Sequence, residues 1–149
     1  MNLPSLPPLR VAIVGSRFGK ISGVEQTPPW RDEALESARK WVKETVSTLA
    51  PSALLIVSSE PIGVGAWALN ANRGKRPEMH YRPGALADDG RTEPELCAWP
   101  VDLATHVFVA WDGRSRAAYR LADYAQRSGK LYSLRVFDRA TPEGRQIVG

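Results

Sequence analysis

Apolar positions along this chain follow two alternating periods. Val11 to Arg17, read VAIVGSR, begins as an unbroken apolar run and stops at a glycine, a hydroxyl and a cation. A parallel strand buried on both faces ends this way where its carboxyl edge opens onto a ligand. Ala53–Ser59 (ALLIVSS), His106–Trp111 (HVFVAW) and Leu131–Phe137 (LYSLRVF) repeat the pattern and predict further buried strands. Between them apolar residues return at helical spacing: Trp30, Ala34, Ala38, Trp41, Val42, Thr45 and Leu49 form one stripe, with Arg39, Lys40, Lys43 and Glu44 facing away. Val64, Trp67, Ala68 and Ala71 form a second, and Ala118, Leu121, Ala122 and Ala125 a third. Thr27 and Ser115 are suited to cap helices, Pro28 or Pro29 suits a first turn, and Pro51, Gly74 and Gly129 mark the stops. A short strand around Met79–Arg82 and a short helix within 94–104 carrying Leu96, Val101 and Leu103 complete the elements.

Strands that alternate with helices predict an α/β fold: a single Rossmann-like three-layer domain, its mostly parallel sheet of about five strands covered by helices on both faces. That domain is expected over residues 11–137, between an extended, proline-rich tail at 1–10 and a surface tail at 138–149. The segment 83–100 reads as a long polar loop, with Asp88, Asp89, Glu93 and Glu95 among glycines and prolines.

The chain has 149 residues, 43% hydrophobic and 24% charged, which is the balance of an ordinary globular domain rather than a disordered segment. No apolar run is long enough to span a bilayer and the N-terminus lacks a signal-peptide pattern, so a cytoplasmic protein without a membrane partner is expected. The single cysteine, Cys97, excludes an intrachain disulfide and fits a reducing compartment. With only His80 and His106 beside it, at no metal-ligand spacing, no metal site is expected. No P-loop is present and no GxGxxG follows the first strand, so no cofactor is implied. A net charge of +4 suits an anionic partner, or solubility alone.

Ligands of open parallel sheets bind at the carboxyl ends of the strands, where the strand order reverses. Three turns bring polar groups to that edge: Gly15, Ser16 and Arg17; Ser58, Ser59 and Glu60, followed by Gly63; and Asp112, Gly113, Arg114 and Ser115. Two of these turns open helices, whose free amides attract anions. Together they describe a phosphate-binding cleft. The same residues also serve as plain turn formers, with Arg17 and Arg114 salt-bridged to Glu60 or Asp112. Glu60 and Asp112 are in addition weak candidates for a catalytic carboxylate pair.

With these motifs in hand, residues 11–137 resemble the SLOG superfamily, which groups YpsA-like proteins, DNA-processing-A proteins and the lonely-guy phosphoribohydrolases. VAIVGSR is similar to the family's first strand and GSR turn. SSEPIGVGAWA, Ser58 to Ala68, falls on S-G-G-A-x-G-V-D-x-x-A, with Ser59 and Glu60 in place of two glycines. WDGRSRAAYRLADYAQRSGK resembles the YpsA-like turn and helix before the last strand, and has Tyr119 where the phosphoribohydrolases carry a glutamate. The resemblance implies a site for a nucleotide or nucleotide-derived ligand. A carboxylate at Glu60 would repel phosphate at close range.

The expected function is therefore binding of a phosphorylated, nucleotide-type small molecule by a sensor or carrier. In that reading Arg17 and Arg114 hold the phosphate, Ser16, Ser58 and Ser115 add hydrogen bonds, and Gly15 and Gly113 admit the backbone. Alternatives are single-stranded nucleic-acid binding through Arg73, Lys75, Arg76, Arg82 and the cleft arginines, a nucleosidase-type reaction, and a ligand-free role in an assembly. Trp99 and Tyr132, expected to be exposed, would allow a homo-oligomer.

Overall fold

A computed structural model describes residues 8–16, 18, 29–60, 62–81 and 98–149, without the side chain of Trp99. The elements in chain order are β1 (Arg10–Gly15), α1 (Pro29–Thr48), β2 (Leu54–Ser58), α2 (Val64–Asn72), β3 (Glu78–Tyr81), α3 (Trp99–Leu103), β4 (His106–Trp111), α4 (Arg116–Arg127), β5 (Leu131–Val136) and β6 (Arg145–Val148). They form one sheet of six strands in the order β3-β2-β1-β4-β5-β6, parallel except for β6 against β5. The architecture is the α/β three-layer one that the alternation of periods predicts.

The strands explain why the layers form. Val11 and Ile13 point to one face of β1, Ala12 and Val14 to the other, and all four are buried, so both faces demand a helical cover. On one side Ala34, Ala38, Val42 and Val46 of α1 join Val64 and Ala68 of α2 over Val11, Ile13, Leu55 and Val57. On the other, Leu121, Ala122 and Ala125 of α4 and Val101 of α3 cover Ala12, Val14, Ile56, Val107 and Val109.

Three differences from the sequence reading have physical causes. The sheet has a sixth strand because Arg145–Val148, read as part of a surface tail, pairs antiparallel with β5. Its residues are largely exposed, so backbone pairing rather than apolar burial holds it and no hydrophobic period announces it. Helix α2 ends at Asn72, two residues before the expected stop at Gly74, with Arg73 itself in the left-handed region at φ 48 and Gly74 following at φ 72. Arg76, grouped with the surface cations, is only 9% exposed. Its guanidinium donates to the Leu49 carbonyl (Nη2, 2.6 Å), to the Ala50 carbonyl (Nε, 3.3 Å) and to Asn72 Oδ1 (Nη1, 3.2 Å). It therefore holds the carboxyl end of α1 against α2 and is withdrawn from any nucleic-acid surface. Thr27, Arg82, Leu96, Cys97 and most of the acidic segment lie outside the described residues. Among the described residues no helix is long and apolar enough to cross a membrane.

Candidate functional site

Strand β1 lies between β2 and β4, so the chain leaves its carboxyl end at the point where the strand order changes direction. A hollow of about 320 Å³ opens there. Its lining comes from the end of β1 (Gly15, Ser16), the turn after β2 (Ser58, Glu60, Ile62), the end of β3 (Tyr81), and the first turns of α2 (Val64, Gly65) and α4 (Ala117, Ala118), with Ser115 just before α4. One part of the wall is hydroxyl and carboxylate, and another is aliphatic and aromatic.

Ser16 is nearly sealed, at 2% exposure. Its amide donates to the Ala110 carbonyl at 2.9 Å, and its hydroxyl accepts from the Asp112 amide at 3.0 Å. Ser16 therefore ties the turn after β1 to the turn after β4, and the bond to Asp112 leaves its own proton for a ligand. Ser58 faces the hollow and its hydroxyl accepts from the Glu60 amide at 3.1 Å. Ser59, one residue on, is exposed, and its amide continues the ladder to the Tyr81 carbonyl at 2.7 Å. The strand's period of two thus assigns one serine to the site and turns the other away.

After β4, Asp112 acts as a turn former. Its Oδ1 accepts from the amides of Arg114 (2.8 Å) and Ser115 (2.7 Å), and Gly113 takes φ 80 to make the reversal. A Cβ at Gly113 would sit 3.2 Å from that of Asp138, so the segment after β5 braces this turn. Ser115 caps α4 by accepting from the Ala118 amide at 3.4 Å, and its carbonyl accepts from the Trp111 indole at 3.0 Å. Arg114 is exposed and, like Asp112, Gly113, Ser59 and Gly63, is not part of the lining. Asp112 and Glu60 accordingly do not both face the hollow, which removes the geometric basis for a carboxylate pair acting across it.

The α2 end of the hollow is built differently. Gly63 precedes the helix at φ 87, where no side chain caps it. The amides that open α2 therefore have no side-chain acceptor from the capping position, the state in which a helix start attracts an anion. Gly65 follows because a Cβ there would lie 2.7 Å from the Ser58 carbonyl oxygen, so helix and strand pack at backbone distance.

Of the residues singled out from sequence, Gly15, Ser16, Ser58, Glu60 and Ser115 come together. Arg17 lies outside the described residues, between the two described neighbours Ser16 and Phe18. Ile62, Tyr81, Ala117 and Leu121 were not singled out as site residues. Leu121 was legible as a core position of the last helix, and it serves as both core and wall. Among the described residues no cluster of three or more His, Cys, Asp or Glu side chains could hold a metal ion. Compared with known proteins, the chain matches no family model, no curated protein and no solved structure.

Proposed function

We propose that the hollow binds one phosphorylated ligand of mononucleotide type, which the protein senses or carries. The supporting observation is the meeting, at one switch point, of two helix starts, three inward serines and an apolar wall. Phosphate is placed at the uncapped start of α2, with Ser16 and Ser58 as hydroxyl partners and Arg17, next to Ser16 in the chain, as the cation. The base lies against Tyr81, Ile62 and Leu121. Glu60 takes the ribose side, where a carboxylate accepts from hydroxyls and is kept from the phosphate it would repel.

Size favours a mononucleotide over a dinucleotide. The volume of about 320 Å³ is at the small end of the roughly 300–1,000 Å³ common for ligand pockets. The sequence resemblance to the SLOG superfamily points to the same ligand class.

Titration calorimetry with a panel of nucleoside mono-, di- and triphosphates tests the reading. Ala117, exposed at the mouth, can be enlarged without touching the core, so Ala117→Trp should abolish binding and leave the thermal transition in place. Arg17→Ala should weaken it by about 1.5–3 kcal/mol, the cost of losing a charged hydrogen bond. Absence of binding across the panel, or full binding by Ala117→Trp, would overturn the assignment.

A further inference from the structure

A second concavity lies away from the sheet edge, along the outer side of the α1–α2 pair. This groove, of about 910 Å³, is lined by Arg39, Lys40 and Lys43 of α1, by Trp67 of α2, and by Arg73 and Lys75 just beyond α2. All five cations are exposed. Among the described residues Glu36 is the sole acidic one of the lining, and it is already engaged by Arg39 in an ion pair. For a chain whose net charge is only +4, this is a strong local surplus.

Arg73 adds an independent observation. It ends α2 in the left-handed conformation, φ 48 and ψ 38, which a side chain adopts at a cost and glycine adopts freely. A helix stop alone would be better served by glycine. Its amide donates to the Leu69 carbonyl at 3.1 Å, a bond that glycine would keep. The structure thus retains a strained arginine where its charge borders the groove.

We propose that the α1–α2 groove binds a single nucleic-acid strand through its phosphodiester backbone. A regular polyanion matches a row of cations, and the apolar part of the lining, Trp67 with the aliphatic stems of the long cationic side chains, gives bases a surface to lie on that an acidic peptide would leave unused. A single strand, unlike a duplex, has bases free to leave their stack and reach the wall of a groove. The flat indole of Trp67, half-buried in the floor, offers a face on which a base can stack. This groove is separate from the sheet-edge hollow and does not depend on what fills it.

The test is fluorescence anisotropy of the intact chain with a labelled single-stranded oligonucleotide of mixed sequence, titrated at several salt concentrations. Each cation removed should weaken binding roughly two- to fivefold. The triple variant Lys40→Gln, Lys43→Gln, Arg73→Gly should flatten the log–log salt dependence by about 2, near 0.7 for each lost phosphate contact. Arg73→Gly alone is the sharper probe: it should weaken binding while leaving the melting temperature equal or higher, since it relieves strain. Nucleotide calorimetry at the sheet edge should be unchanged in these variants. Unaltered affinity and slope in the folded triple variant would overturn the proposal. So would equally tight binding of a duplex or of polyglutamate.

Discussion

At Gly15 the backbone of β1 approaches β4 so closely that a Cβ would lie 2.1 Å from the Ala110 carbonyl oxygen and 3.0 Å from Val64 Cγ2. The nearest obstacle is backbone and cannot swing aside, so Gly15→Ala should destabilise by about 1–3 kcal/mol as overpacking does. A lowered urea midpoint measures it, and an unchanged one would mean the strands can separate locally. Sequence alone marks this glycine as a place where the backbone can approach a ligand; in the fold it also lies against the neighbouring strand β4. Asp138 shows a different residue-scale effect. Burial works against its charge, yet the Thr141 amide (2.8 Å) and hydroxyl (3.0 Å), with Arg145 nearby, hold its carboxyl below the ordinary range. Because the folded state favours the carboxylate, its contribution is complete above about pH 4 and is lost as pH falls through the lower folded value. Asp138→Ala should therefore lower stability at neutral pH and flatten the acid limb of the unfolding profile. Urea midpoints collected across the acid range check both effects.

Among the elements, α1 and α4 end and begin on opposite devices. Ser115 caps α4 from within its own chain segment, as a serine ahead of an apolar stripe announces. The carboxyl end of α1 instead depends on Arg76, 27 residues beyond Leu49 and legible only as one letter of a basic cluster. Removing that side chain leaves the Leu49 carbonyl, which accepts from both Nε (3.1 Å) and Nη2 (2.6 Å), without those partners. Arg76→Met should cost about 1–3 kcal/mol, the loss of charged hydrogen bonds to part-buried carbonyls and to the buried Asn72 Oδ1, offset in part by retained packing. Thermal unfolding of the variant measures this, and a loss no larger than for Lys75→Met would mean that the charge is not needed. The helix stripes themselves were readable because burial repeats with the helical period: Ala118, Leu121, Ala122 and Ala125 are all buried. For β6 no such period exists, since its residues are mostly exposed and the strand is defined by its neighbour.

For the whole molecule, β6 closes one edge of the sheet by pairing Leu134–Val136 of β5 with Arg145–Val148. A chain ending at Asp138 should keep the α/β core but expose the β5 edge, and self-associate through it. Light scattering at matched concentration distinguishes this from the intact chain, and a monodisperse truncated protein would show that β6 is dispensable as a guard. Tyr132, 58% exposed on that same half of the sheet beside His106 and Phe108, gives an associating edge an aromatic neighbour. What the sequence determined by itself was the alternation of buried strands and one-sided helices, because burial on one or both faces repeats along the chain and can be read without knowing any neighbour. Fold class, most element limits, and the turns that carry Gly15, Ser16, Ser58 and Ser115 follow from it. Only the tertiary structure decided which of those turns share a hollow, that Asp112 and Arg76 are spent largely on backbone groups, and that five cations from one helix and a distant turn line one groove. Those are distances between segments remote in sequence, fixed by strand order and register, and no local pattern of residues encodes them.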